Sequence, residues 1–280
     1  MRRHKKQIVV FGSVCAVILA VILGLMLTNQ RTSAMPVPNP HVWILARSAL
    51  AASNAGTAAG LQQPGETVYE VINPTTCATS AASPLPGYVP TQHVFGYSRK
   101  PTIPAGTKAV LLDQEYWCQT PKADERDPVK YAAAGSQQAA AAGQTFITAP
   151  ALDLFEAGYL PCSTRYWRCY LSSDLAGKMA SVSNVIDIQA QSLEASTDGG
   201  RPGPHWDTFV STAIAQAKAA NPKVIVLVGV ADTYTSSASV LETDLNYAFS
   251  HGASGAWLNE SYGAQLMDSV LRHYGIWRTR

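Results

Sequence analysis

Two carboxylates two residues apart, Asp113 and Glu115, stand where an unbroken apolar run ends, in the segment Lys108 to Trp117, KAVLLDQEYW. The run Ala109 to Leu112 reads as a buried parallel strand, and polar groups at the carboxyl end of such a strand face the ligand crevice of an α/β fold. Strand side chains alternate between faces, so Asp113 and Glu115 are expected to point the same way. A pair so placed can do acid–base work. Each negative charge opposes ionisation of the other, which raises one pKa and keeps a proton available.

The elements that must position this pair follow from apolar patterning. His41 to Ser48 and Val68 to Asn73 read as two early strands, with an Ala-rich stretch from Ala49 to Ala59 between them and a Pro/Ser/Thr-rich loop from Pro74 to Pro90 after the second; Val94 to Ser98 reads either as a third strand or as part of that irregular region. Past Lys100 the alternation is regular. A polar loop holds Asp124, Glu125 and Arg126; Asp127 and Pro128 then supply an N-cap and an N1 proline for a helix to Ala142, stopped by Gly143. Strands are expected at Thr145 to Ala149, Val185 to Gln191, Val224 to Gly229 and Ala256 to Asn259. Helices are expected at Asp174 to Val182, Trp206 to Ala220, Ser239 to Ser250 and Ala264 to Tyr274. Strands of this length alternating with helices predict βαβ units and a parallel sheet; eight strands fit a (β/α)8 TIM barrel. A doubly wound open sheet is the alternative. It usually carries a Gly-rich nucleotide turn, and neither GxGxxG nor a Walker sequence occurs.

In a barrel the residues that matter lie just past the strand ends. Besides Asp113 and Glu115 these include Gln189, Gln191, Asn259 and Glu260, with Trp43, Tyr116, Trp117 and Trp257 nearby. Amides and carboxylates bond sugar hydroxyls, and flat aromatics stack on sugar faces. The order DQEYW, TFITAPALDLF, NVIDIQAQ, KVIVLVGV and GASGAWLN resembles the chitinase-like, substrate-assisted glycoside hydrolases, over about Lys108 to Tyr274. That resemblance rests on an Asp-x-Glu pair followed by an aromatic (Asp113, Glu115, Tyr116), Ala149–Pro150 on the next strand, Gln189 on the sixth and Trp257 near the last. It implies that Glu115 protonates the glycosidic oxygen and that Asp113 orients an N-acetyl group whose carbonyl is the nucleophile. Where the family has two earlier aspartates this chain has Lys108 and Leu111, and Gln191 is the nearest polar residue to the family's sixth-strand tyrosine. A second arrangement keeps Glu115 as acid and draws a nucleophile or base from Glu260 or Glu194. A carboxyl separation of about 5–5.5 Å would then indicate retention and about 6.5–9.5 Å inversion.

Arg2, Arg3, Lys5 and Lys6 precede a charge-free, mostly apolar run of 20 residues, Ile8 to Leu27. This is long enough to span a bilayer, so residues 1–29 are read as a basic segment and signal anchor, 30–40 as a Pro-rich linker and 41–280 as an extracytoplasmic domain. A cleaved signal, with a secreted product, is the alternative. Residues 1–34 hold five Lys/Arg and no acid, leaving 16 basic against 19 acidic residues, a net −3. No basic stripe interleaved with aromatics remains, so no nucleic-acid partner is expected. Of the four cysteines beyond the anchor, proximity favours Cys162 with Cys169, which leaves Cys77 with Cys118. Their spacing lacks a CxxC knuckle, and the six histidines show no HExxH, so neither metal nor cofactor is expected. There is no GxSxG elbow.

Two functions remain. One is an exported, membrane-tethered glycoside hydrolase-like barrel acting on a polysaccharide. The other is a non-catalytic glycan-binding or cell-envelope barrel that keeps the cleft without the chemistry.

Overall fold

The computed structural model describes residues 42–46, 65–72, 87–194, 204–231, 237–259 and 264–275. The anchor segment and linker, the Ala-rich stretch, Cys77, Glu260 and the side chain of Glu194 lie outside them. Among the described residues no helix is long and apolar enough to cross a membrane.

Eight parallel strands close into a barrel in sequence order: β1 (Val42–Ala46), β2 (Thr67–Ile72), β3 (Val89–Val94), β4 (Ala109–Gln114), β5 (Thr145–Pro150), β6 (Val185–Gln189), β7 (Ile225–Ala231) and β8 (Gly255–Asn259). The helices are α1 (Lys122–Arg126), α2 (Pro128–Ala141), α3 (Asp153–Glu156), α4 (Tyr166–Ser172), α5 (Leu175–Ala180), α6 (Gln191–Glu194), α7 (Pro204–Ala220), α8 (Ala238–Ser250) and α9 (Ala264–His273). The barrel, not the open sheet, is the architecture. Its closing seam pairs Val42 with Gly255, where a β-carbon would collide with the Val42 carbonyl oxygen, so only glycine lets β1 and β8 meet there.

Strand periodicity divides the core in two. Ile44, Tyr69, Leu111, Ile147, Val185 and Leu227 point inward and fill the barrel. The alternate residues, such as Leu45, Val110, Phe146, Ile186 and Val226, pack outward against the helices. Hence strands such as β1 and β7 read as continuous apolar runs, as a sheet buried on both faces requires.

Three expectations are corrected. The third strand is Val89–Val94, not Val94 to Ser98; Lys108 N donates to Pro90 O at its start, and Asp124 holds the chain beyond its end by accepting from Tyr97 N and Ser98 N. The expected polar loop at Asp124 to Arg126 is the short helix α1, whose Asp124 and Glu125 are buried. The sixth strand stops at Gln189, and Gln191 opens α6 instead of ending the strand. Tyr166–Ser172 is also helical, tied to the preceding loop by the Cys162–Cys169 disulfide, whose Cα atoms lie 5.5 Å apart. Cys118 is exposed and has no disulfide partner among the described residues.

Candidate active site

The end of β4 shows how alternation builds the site. Gln114 faces outward, fully buried, and its Nε2 donates to Pro128 O at the start of α2 over 3.1 Å. That anchor fixes the strand end, so Asp113 before it points into the barrel mouth. Asp113 is 5 % exposed. Two side chains hydrogen-bond with it: His93 Nε2, from β3, lies 2.9 Å from Oδ2, and Gln189 Nε2, from β6, donates to Oδ1 over 2.6 Å. Gln189 Nε2 also donates to Ala149 O of β5 over 2.8 Å.

Glu115 follows, partly buried, at the mouth. Its pKa is pushed up to about 9, first by burial and then by the charges of Asp113 and Asp153. Near neutral pH it therefore carries a proton. Asp153, the first residue of α3, accepts from Tyr116 N over 2.9 Å, which ties the β5 loop to the residue after Glu115. Its own pKa is raised, chiefly by burial. Three carboxyls thus share the mouth, with Asp113 the one best supplied with donors.

Aromatic side chains line one side. Phe95 stacks on Trp117 (centroids 5.4 Å apart), His93 lies against Phe95 at 4.4 Å, and Trp257 on β8 meets His93 edge-on at 6.2 Å. Trp117 and Tyr116 are 42 % and 45 % exposed, with Phe95 covering one face of the Trp117 ring. Lys122 sits over both Tyr116 and Tyr159, at 4.7 and 5.2 Å from their centroids. Beyond Asp153 a cleft of about 500 Å³ continues between the β5 and β6 loops, lined by Glu156, Arg165, Tyr166 and Trp167 among others.

The sequence-expected residues divide accordingly. Asp113, Gln189 and Gln191 form one hydrogen-bonded group, with Gln191 Nε2 donating to Gln189 Oε1 over 3.0 Å. Glu115, Tyr116 and Trp117 border it, Trp257 faces into the barrel, and Asn259 lies half-buried at the end of β8. Trp43 is corrected: it is fully buried on the outer face of β1, between Phe249 and Tyr274, and cannot reach a ligand at the mouth. Glu260 lies outside the described residues. His93, Phe95 and Asp187 are the residues that sequence reasoning missed. His93 and Asp187 are polar residues at inward positions of apolar strands, a signal that was legible only with the strand register in hand. Among the described residues no cluster of His, Cys, Asp or Glu could hold a metal ion.

No family model matches the chain, and no curated protein matches it. Among solved structures it is similar to bee venom hyaluronidase (12% identity, TM-score 0.36, 59% of this chain and 69% of that one). It is similar also to bee venom hyaluronidase in complex with a hyaluronic acid tetramer (12%, TM-score 0.34, 59% and 66%). A Schiff base-forming fructose-1,6-bisphosphate aldolase matches at 12% identity and TM-score 0.43, over 85% of this chain and 92% of that one. Scores this low carry no argument about chemistry. The barrel stands on its own strand pairing.

Proposed function

We propose that the chain is an exported, membrane-tethered glycoside hydrolase-like barrel that acts on a polysaccharide, with Glu115 as general acid. One observation carries the reading. A carboxyl whose pKa is pushed up, at the barrel mouth, stands two residues from a carboxyl fixed by hydrogen bonds with His93 and Gln189. This is the division of labour that glycosidic cleavage needs, a proton for the leaving oxygen and a negative charge for the developing cation.

In the substrate-assisted chemistry of the resembled family, the acetamido oxygen of the substrate attacks the anomeric carbon while Glu115 gives its proton to the departing oxygen. Asp113 accepts the acetamido N–H and holds the group in line. Water then opens the cyclic intermediate with Glu115, now ionised, as base. His93 and Gln189 keep Asp113 in place, so its orientation costs nothing at the moment of reaction. The exposed parts of Trp117 and Tyr116 offer apolar surface to a sugar, and the cleft past Asp153 extends the path for further sugar units.

Export and tethering rest on the basic N-terminal segment followed by an apolar run, and the Cys162–Cys169 disulfide suits an oxidising compartment. The test is turnover by the full-length chain in detergent on a panel of labelled polysaccharides, with binding measured in parallel. Release of labelled reducing ends from at least one substrate is expected. Binding without release would identify a glycan-binding barrel instead.

A further inference from the structure

Directly below the Asp113 cluster, Asp187 points into the barrel from β6. It is fully buried, and among the described residues neither of its oxygens has a hydrogen-bond partner. A buried carboxylate left so is among the costliest groups a fold can hold, and it ordinarily neutralises. Burial, and secondarily the charge of Asp113, does push its pKa well above the usual range. A second orphan lies beside it: Gln191 Oε1 is buried and equally unpartnered. Both oxygens converge on one space. A β-carbon on Gly229 of β7 would meet Gln191 Oε1 at 2.8 Å and Asp187 Oδ2 at 2.9 Å, so the absence of a side chain at Gly229 lets the two approach.

The direction of the neighbouring bonds decides what joins them. Gln189 must turn its NH2 toward Asp113 Oδ1 and Ala149 O, because both are acceptors. Its carbonyl therefore faces Gln191, which must donate with its own NH2. Gln191 Oε1 is left bordering the same space beside Gly229 as Asp187 Oδ2, and two acceptors there without a proton between them would repel. Turning either amide over would set carbonyl against acceptor elsewhere in the chain.

We propose that Asp187 is a positioning residue that holds a proton and donates it in a hydrogen bond toward Gln191 Oε1. It thereby sets the direction of a chain that runs through Gln191 and Gln189 to Asp113. No covalent bond changes, and the proton stays on Asp187. The charged or titratable neighbours that sense Asp187 are Asp113 on β4 and Tyr170 on α4. This deepens the hydrolase reading and rests on it only for the kinetic part of the test.

The experiment uses the full-length chain with carboxyl-13C aspartate and isotope-edited infrared spectroscopy at neutral pH. A protonated carboxyl band is expected in the wild type and absent from Asp187→Asn. An unchanged band in that variant, or none in the wild type, overturns the proposal whether or not the protein has any hydrolase activity. Kinetics then separate positioning from packing. Asp187→Asn still offers Gln191 an N–H, whereas Asp187→Leu offers none. Turnover number at least about tenfold higher in the asparagine variant, with little difference in KM, is expected from the loss of one well-placed hydrogen bond. Equal losses in both variants would overturn the positioning role. If Asp187→Leu does not fold, Gly229→Ala tests the same contact. Its methyl would intrude between the two oxygens and shift the carboxyl band, and an unshifted band would contradict the contact. No turnover by wild type, with the band present and lost in Asp187→Asn, would count against the hydrolase reading while leaving the protonated Asp187 in place.

Discussion

Gln189 Nε2 lies 2.6 Å from Asp113 Oδ1, and the same nitrogen donates to the Ala149 carbonyl of the strand between them. One amide therefore fixes a carboxylate 76 residues away by bridging β4, β5 and β6. Replacing Gln189 with leucine keeps the approximate volume and removes both donors. A turnover loss of roughly tenfold to a hundredfold is expected, since charged hydrogen bonds contribute about 1.5–3 kcal/mol each. Steady-state kinetics with a Tm for each variant would check this. An unchanged rate in a stably folded variant would count against the role of Gln189.

Asp113→Asn removes the negative charge beside Glu115 without changing shape. The titration of Glu115 should then move to lower pH, because one of the charges that raises it is gone. The rate should fall by about 10²–10³, the usual worth of one preorganised electrostatic contact. A pH–rate profile reports both effects, and an alkaline limb that stays put would contradict the coupling.

Stability should also carry the signature of the raised carboxyls. The Glu115 pKa in the folded state, about 9, lies above its unfolded value of 4.5. Below about pH 4.5 both states are protonated and no penalty applies. As pH rises toward 9 the unfolded chain releases a proton that the folded one keeps, so stability falls by at most about 1.4 kcal/mol per pH unit for this group. Asp153 and Asp187 act in the same sense. Denaturant unfolding at a series of pH values should show a shallower decline for Glu115→Gln than for the wild type. Parallel slopes would mean that Glu115 titrates normally.

The strand framework was legible because parallel strands buried on both faces are unbroken apolar runs, and Ile225–Ala231 announces itself that way. Val89–Val94 did not. Its sequence VPTQHV mixes proline and polar residues, and its inward Thr91 and His93 serve the interior, not an apolar layer. Asp113 and Glu115 were readable from spacing alone. His93 was not, since only strand register shows that it sits level with Leu111 and can reach Asp113. Trp43 misled for a related reason. Its strand was placed correctly, but a tryptophan on a barrel strand can face the mouth or the helices, and period-two alternation puts this one outside.

Two tryptophans should separate cleanly by mutation. Trp43→Ala empties a packed site beside Phe249 and Tyr274 and should destabilise by about 3–5 kcal/mol. Trp117→Ala touches an exposed ring and should leave Tm nearly unchanged while weakening glycan binding up to roughly tenfold, about 0.5–1.5 kcal/mol of stacking. Thermal melts and titrations with the same oligosaccharide would show the contrast, and equal binding losses would contradict the placement of either ring.

The central claim is that Glu115 delivers the proton. Its most direct measurement is turnover of one cleaved polysaccharide by full-length wild type and Glu115→Gln, prepared alike and matched for binding. The glutamine variant should bind normally and lose catalysis by about 10²–10⁴. Turnover equal to wild type would remove Glu115 from the role assigned to it.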